Sequence, residues 1–220
     1  MKKIIFLFFC ISLFGQNYNT TNFNTDSNFN LIRSEISAPY KKEKINFSGN
    51  RYFFKEDQKA LVFTSERNEP IEVKTNYNLL EQTFDIDYNN ETLKLLPSKV
   101  ERVRTTNNKF LSLKGKFYEL ILENDSFLLL ADTYLEIYIP DYQPGIQVKP
   151  DPTYRKKNSI LLYQNDIFKK IERRKKFLLS LFDSSKSKEI NNFMKKNKIS
   201  PSDYDDLSNL FLTFYKDLKL

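Results

Sequence analysis

From residue 59 to residue 140 the chain is a succession of short apolar or alternating runs separated by turn residues. Residues 59–65 form a short, apolar, β-branched run, the composition of a strand. Arg67-Asn68-Glu69-Pro70 follows as a turn, since Pro70 has no N–H to give to a ladder. Ile71, Val73 and Thr75 then alternate with Glu72, Lys74 and Asn76, and Phe84, Ile86 and Tyr88 alternate with Asp85 and Asp87. That period marks strands with one wet face. Asn89-Asn90 tolerates positive φ and predicts a hairpin turn into residues 92–96. Further strands are predicted over 100–104, 110–113, 117–123 and 126–139, the last two flanking an Asn124-Asp125 turn. Short strands at this spacing predict an antiparallel β meander, barrel- or sandwich-like.

Beyond residue 139 the pattern changes. Pro140, Pro144, Pro150 and Pro152 mark residues 140–153 as a stiff, extended linker. Residues 158–164 and 167–171 are predicted to pair across Asn165-Asp166. The apolar spacing then becomes helical. A helix over 173–182 turns Leu178, Leu181 and Phe182 inward, and a second over 186–196 does the same with Ile190, Phe193 and Met194. A third begins at Ser200-Pro201-Ser202-Asp203, with Ser200 as cap, Pro201 at the first position and Asp203 completing a capping box. Leu207, Leu210, Phe211, Phe214 and Leu218 form its apolar stripe. The predicted class is α+β, a β domain over 49–139 followed by a strand and helix region over 154–220. Residues 49–57 form a packed connection into the first meander strand. Residues 16–48 precede them as a flexible lead with an edge strand over 30–37.

Residues 1–15 read as a secretory signal. Lys2 and Lys3 supply the charged start, residues 4–14 the apolar core, and Ser12 and Gly15 the small-residue region. Cys10, the single cysteine, follows Phe8 and Phe9 rather than the small residues a lipoprotein signal needs. A chain cleaved before Gln16 would have no thiol, and so no disulfide, thiolate metal site or Cys nucleophile.

The sequence has no His, the side chain most used for acid–base catalysis and metal binding near neutral pH. Ser-His-Asp and Cys-His machinery is excluded. With only 4 Gly, no Gly-rich phosphate loop is present. Two carboxylate groupings remain. Asp85 and Asp87 share one strand face, a spacing open to acid–base work if their surroundings differ; alternation assigns them to a solvated face opposite Phe84, Ile86 and Tyr88. Asp203, Asp205 and Asp206 lack the loop glycine and distal Glu of an EF-hand and sit where a helix dipole favours acids. No catalytic residue, cofactor site or metal site is predicted.

Charge is distributed unevenly. Residues 154–199 carry 14 Lys and Arg against 4 Asp and Glu, whereas residues 16–153 carry 17 against 20. The basic excess lies in one segment, whose densest run is Arg173, Arg174, Lys175 and Lys176. These four are the predicted contact with an anionic surface, unless they form a merely solvated helix face. Export argues against nucleic acid as the partner and favours an envelope protein or an anionic membrane or glycan.

Three further stretches carry a resemblance. They are Gly49-Asn50-Arg51-Tyr52-Phe53-Phe54, Thr75-Asn76-Tyr77-Asn78, and Phe193-Met194-Lys195-Lys196-Asn197-Lys198 ahead of an acidic helix start and Phe214-Tyr215. In these the chain resembles a family of small, uncharacterised exported proteins of Bacteroidota. The resemblance implies export and a β fold with closing helices, and it brings no site residues. The expected function is that of a non-enzymatic envelope protein of the periplasm or outer membrane. The alternative is a β-barrel carrier holding an apolar ligand among residues such as Phe63, Phe84, Ile86 and Leu120. Intact-mass measurement of the protein from its native envelope fraction is expected to give a chain starting near Gln16. A full-length cytosolic product would overturn the export reading.

Overall fold

A computed structural model describes residues 26–39, 49–146, 148 and 151–219. The predicted signal and most of the predicted lead lie outside the described residues. The first described element is a helix, α1 (Asp26–Glu35). The edge strand expected over 30–37 is therefore a correction: the strand is only β1 (Ser37–Pro39). Phe29, Ile32 and Ile36 are all buried, and their spacing is that of one helix face. Tyr88 Oη donates to Asp26 at 2.6 Å and its ring lies 4.9 Å from that of Phe29, which fixes the helix against the sheet.

Ten more strands follow: β2 (Gln58–Phe63), β3 (Ile71–Asn78), β4 (Thr83–Tyr88), β5 (Glu91–Leu95), β6 (Arg102–Thr105), β7 (Lys109–Leu113), β8 (Lys116–Asn124), β9 (Phe127–Tyr138), β10 (Thr153–Gln164) and β11 (Ile167–Ile171). All pair antiparallel in one sheet of order β1-β5-β4-β3-β2-β6-β7-β8-β9-β10-β11. The antiparallel meander is thus shown, and it is open rather than closed. Asn89-Asn90 and Asn165-Asp166 both turn at positive φ, the geometry of tight hairpins that match strand twist. The β8–β9 turn falls one residue later than the expected Asn124-Asp125. Asn124 pairs with Phe127, and the Asn124 side chain accepts the Ser126 N–H at 3.0 Å.

The sheet rolls over itself so that β3 and β4 face β7 and β8. Phe84 meets Phe110 and Phe117 edge to face, each at 5.1 Å, a favoured arrangement of aromatic rings. Tyr77 joins them and donates to the Phe117 carbonyl at 3.1 Å. Val62, Val73, Leu93, Leu95 and Val103 complete this first core. The roll stops short of closure. The sheet keeps two edges, β1 ending in Pro39 and β11 carrying exposed Lys169 and Lys170.

A second core lies under the helices α2 (Lys175–Ser180), α3 (Ser187–Lys196) and α4 (Tyr204–Phe214). Phe127, Leu129 and Leu162 from the sheet pack there with Leu178, Phe182, Ile190, Leu210 and Phe211. Of the expected helical stripes, Leu178, Leu181, Phe182, Ile190, Met194, Leu207, Leu210, Phe211 and Phe214 are buried, whereas Phe193 and Leu218 are half-buried and α4 ends before Leu218. The start of α4 differs. Its cap is Asp203, which accepts from the N–H groups of Asp205 and Asp206, each at 3.0 Å. Ser200 instead begins a turn, its N–H held by Asp206 at 2.8 Å. A carboxylate is the stronger acceptor at a positive helix end, so Asp203 takes the cap.

The Pro-rich residues 140–152 connect two hydrogen-bonded strands. Tyr138 pairs with Thr153, and the ladder continues from there to Leu128 and Tyr163. The sheet therefore runs through into the basic region, and β10 begins five residues before the predicted 158. Replacing Phe84 by Ala is expected to cost about 3–5 kcal/mol, the range for a buried aromatic. Leu212→Ala, on the exposed side of α4, is expected to change stability by less than about 0.5 kcal/mol. Urea unfolding of both variants checks the pair.

Candidate functional site

The site begins with the loop over 49–57, which pairs backbone to backbone with the end of β3 and sends the Tyr52 side chain onto the outer face beside Asp85. Tyr52 and Phe53 bond to that strand: Tyr52 bridges to Asn78, and the Phe53 N–H donates to the Tyr77 carbonyl at 2.8 Å. Side chains complete the attachment. Asn76 accepts from the Phe54 N–H at 3.2 Å and donates to the Phe54 carbonyl at 3.3 Å. Asp85 accepts from Tyr52 Oη and from Asn78 Nδ2, both at 3.0 Å.

Asp85 is therefore buried, which corrects the solvated face assigned to it; Asp87, two residues on, is exposed as expected and accepts from Thr92. Alternation identified the shared face but not the loop that covers half of it. The cost of burying a carboxylate is offset by its hydrogen bonds.

The loop delivers Phe53 to a seam in the structure. One face of the sheet is covered at one end by the rolled-over first half and at the other by the helices. Along β8, Phe117 belongs to the first core and Ile121 borders the second, with Glu119 between them. Along β10, Ile160 is in the second core, while Asn158 and Lys156 follow on the same face. The gap between the two covers is a cleft of about 310 Å³, with Phe53 at one side, Tyr204 of α4 at the other, and Glu119, Thr133, Lys156 and Asn158 between.

Its polar groups are positioned by one another. Lys156 Nζ donates to the Phe53 carbonyl at 3.0 Å and sits 5.7 Å above that ring. Arg173 Nη2 donates to Asn158 Oδ1 at 3.1 Å, and the Asn158 amide donates to Tyr204 Oη. Asn158 thus has both ends of its amide fixed. Asn108 Nδ2 donates to Glu119 Oε1 at 2.6 Å.

Burial pushes the Glu119 carboxyl above its ordinary value, against the Asn108 hydrogen bond. Burial also lowers the Lys156 ammonium. It raises the Tyr204 phenol, with the Glu119 charge adding to the rise and the Asn158 bond and Arg173 opposing it. A cleft with an acid, an ammonium, an amide and a phenol offers both donors and acceptors to a ligand.

Of the four cations predicted to meet an anionic surface, Arg173 reaches the cleft through Asn158. Arg174 pairs with Glu172, and Lys175 and Lys176 are exposed at the start of α2. The residues weighed for an apolar ligand are placed otherwise. Phe84 and Ile86 are fully buried in the first core, Phe63 lies under Arg104 at 5.6 Å, and Leu120 pairs with Leu130. Asp203 and Asp206 serve the start of α4, and among the described residues no group of three or more His, Cys, Asp or Glu is placed to hold a metal ion.

Lys156, Asn158, Glu119, Tyr204 and Phe53 were not singled out from the sequence as site residues. The available signal was the run Tyr154-Arg155-Lys156-Lys157-Asn158, which extends β10 but lacks apolar alternation.

Comparison of the chain with protein-family models, curated proteins and solved structures gave no match. The fold and site define a class on their own terms: an open, eleven-stranded antiparallel sheet with a helical cover and a polar cleft at the seam.

Glu119 generates a pH prediction. Its folded pKa lies above the ordinary 4.5, so the folded protein keeps a proton that the unfolded chain releases. Stability therefore falls as pH rises from about 4.5 through the folded value. Glu119→Gln keeps an acceptor for Asn108 and removes the ionisation. The variant is expected to match the wild type near pH 4 and to exceed its urea midpoint at pH 7. A gap that does not change with pH would overturn the assignment.

Proposed function

We propose that this protein is a non-enzymatic, exported binding module that holds a negatively charged partner on its basic face, with the seam cleft at the centre. The observation supporting this reading is the convergence of cations at one place. Lys156 and Lys157 line the cleft from β10, and Arg173 reaches it from the segment before α2. Lys175 and Lys176 extend the same charge outward with exposed side chains.

A partly desolvated ammonium attracts an anion more strongly than one fully in water, because the local dielectric is lower. An envelope protein, an anionic membrane and an acidic glycan all present the charge this face would take. Periplasmic or outer-membrane location follows from the signal reading, and makes nucleic acid an unsuitable partner.

Binding to anionic phospholipid vesicles and to an immobilised sulfated polysaccharide is the test. Surface attraction of this kind is screened over about 8 Å at physiological ionic strength, so retention is expected to fall steeply with salt. Each cation contributes about 1 kcal/mol near an anionic membrane. Replacing Arg173, Arg174, Lys175 and Lys176 together by Gln is then expected to weaken binding roughly a hundredfold or more. A folded wild-type protein that binds neither material at low salt would overturn the proposal.

A further inference from the structure

We infer that the seam cleft and a second cleft beside it form one groove, and that the groove takes an extended, acidic oligosaccharide; this rests on the binding-module reading above. The second cleft measures about 380 Å³ and is lined by Phe54, Lys55, Glu56 and Gln58 from the loop into β2 and by Thr105, Asn107 and Asn108 from the β6–β7 turn. Each cleft alone lies at the small end of ligand sites, which run from roughly 300 to 1,000 Å³. Together they are large enough for several linked units.

The two clefts share their dividing wall. Asn108 lines the second and donates to Glu119, which lines the first. Phe53 lines the first and Phe54 the second, their rings edge to face at 4.8 Å. Both rings pack on Phe110, at 5.5 and 6.3 Å. The divider is thus a fixed ridge with an aromatic flank toward each cleft, and a ligand that fills both must pass over the Asn108–Glu119 bond.

The chemistry of the lining selects the ligand class. Asn108, Asn158, Gln58, Thr133 and Tyr204 bear amide or hydroxyl groups that both donate and accept. Sugar hydroxyls have the same double character, and aromatic side chains supply the apolar surface that a sugar ring also has. Lys55, Lys156 and Lys157 add a cation in each cleft, which favours sugars bearing a carboxylate. Glu56 and Glu119 disfavour a polymer with a full charge on every unit, such as a nucleic acid. Lys55 and Asn107 have no hydrogen-bond or ion-pair partner among the described residues, so a ligand in the second cleft can use both.

Calorimetric titration with hyaluronan oligomers of two and six units, in which a carboxylate falls on every second sugar, tests the groove. The hexamer is expected to bind at least about tenfold more tightly than the dimer, a difference of about 1.4 kcal/mol. Lys156→Ala should weaken both. The double variant Lys55→Ala, Asn107→Ala changes two exposed side chains outside both cores, and should reduce the hexamer to the affinity of the dimer while leaving the dimer unchanged. Equal affinity for the two lengths, or a hexamer indifferent to the double variant, would overturn the groove. Tighter binding of a six-nucleotide single-stranded DNA would overturn the choice of glycan. If the oligomers fail while vesicles or sulfated polysaccharide still bind, the groove falls and the binding-module reading stands. If none binds, both fall.

Discussion

The ladder between β9 and β10 is the constraint on which the rest of the architecture depends. It runs through eleven residue pairs, from Tyr138 and Thr153 to Leu128 and Tyr163. One end of it lies in the second core, where Leu129 and Leu162 meet the helices; near the other end Leu135 packs against the first core. A single pair of strands thus holds two hydrophobic clusters at a fixed separation. The seam between them cannot close without breaking backbone hydrogen bonds, whose loss in a buried setting is costly. The cleft follows from that geometry, and its Thr133, Lys156 and Asn158 occupy ladder positions that neither core covers.

A second level of support lies behind the cleft. Asp85 touches no part of it, yet it holds Tyr52 and Asn78, and these hold the loop carrying Phe53. Asn76 fastens the next residue, Phe54. Phe53 in turn supplies the carbonyl that orients Lys156. Buried polar groups on β3 and β4 thereby position a cation on β10. Site geometry is commonly fixed by residues one contact removed from the ligand, and here the chain of contacts can be followed atom by atom.

The β meander was legible because its strands alternate cleanly. Ile71 to Asn76, Phe84 to Tyr88 and the Asn89-Asn90 turn each pair a local pattern with a local structure. The helical stripes at Leu178, Ile190 and Leu207 were legible for the same reason. Three features were not. Helix α1 buries only Phe29 and Ile32 of its own ten residues, in a stretch rich in Asn and Ser, so its polar composition concealed its period. The first half of β10 reads Thr-Tyr-Arg-Lys-Lys, without alternation, because it is held by its neighbour's backbone rather than by a buried face. Asp85 obeyed the alternation and was buried all the same, since a loop from elsewhere in the chain covers its face. The cleft shares that character: Phe53, Glu119, Asn158 and Tyr204 are far apart in sequence and meet only through tertiary structure.

Among the described residues the open sheet leaves two strands with unused backbone groups, the arrangement that leads many β proteins to add copies of themselves side by side. Each edge opposes such stacking in its own way. β1 offers three residues, and the last is Pro39, which has no N–H. β11 offers five, with Lys169 at the centre. An antiparallel twin centred there would set this ammonium against its own copy, and like charges directly opposed across strands are destabilising. The chain can therefore leave its barrel unfinished, with room for a seam and a cleft, without presenting a template for fibre growth at either edge.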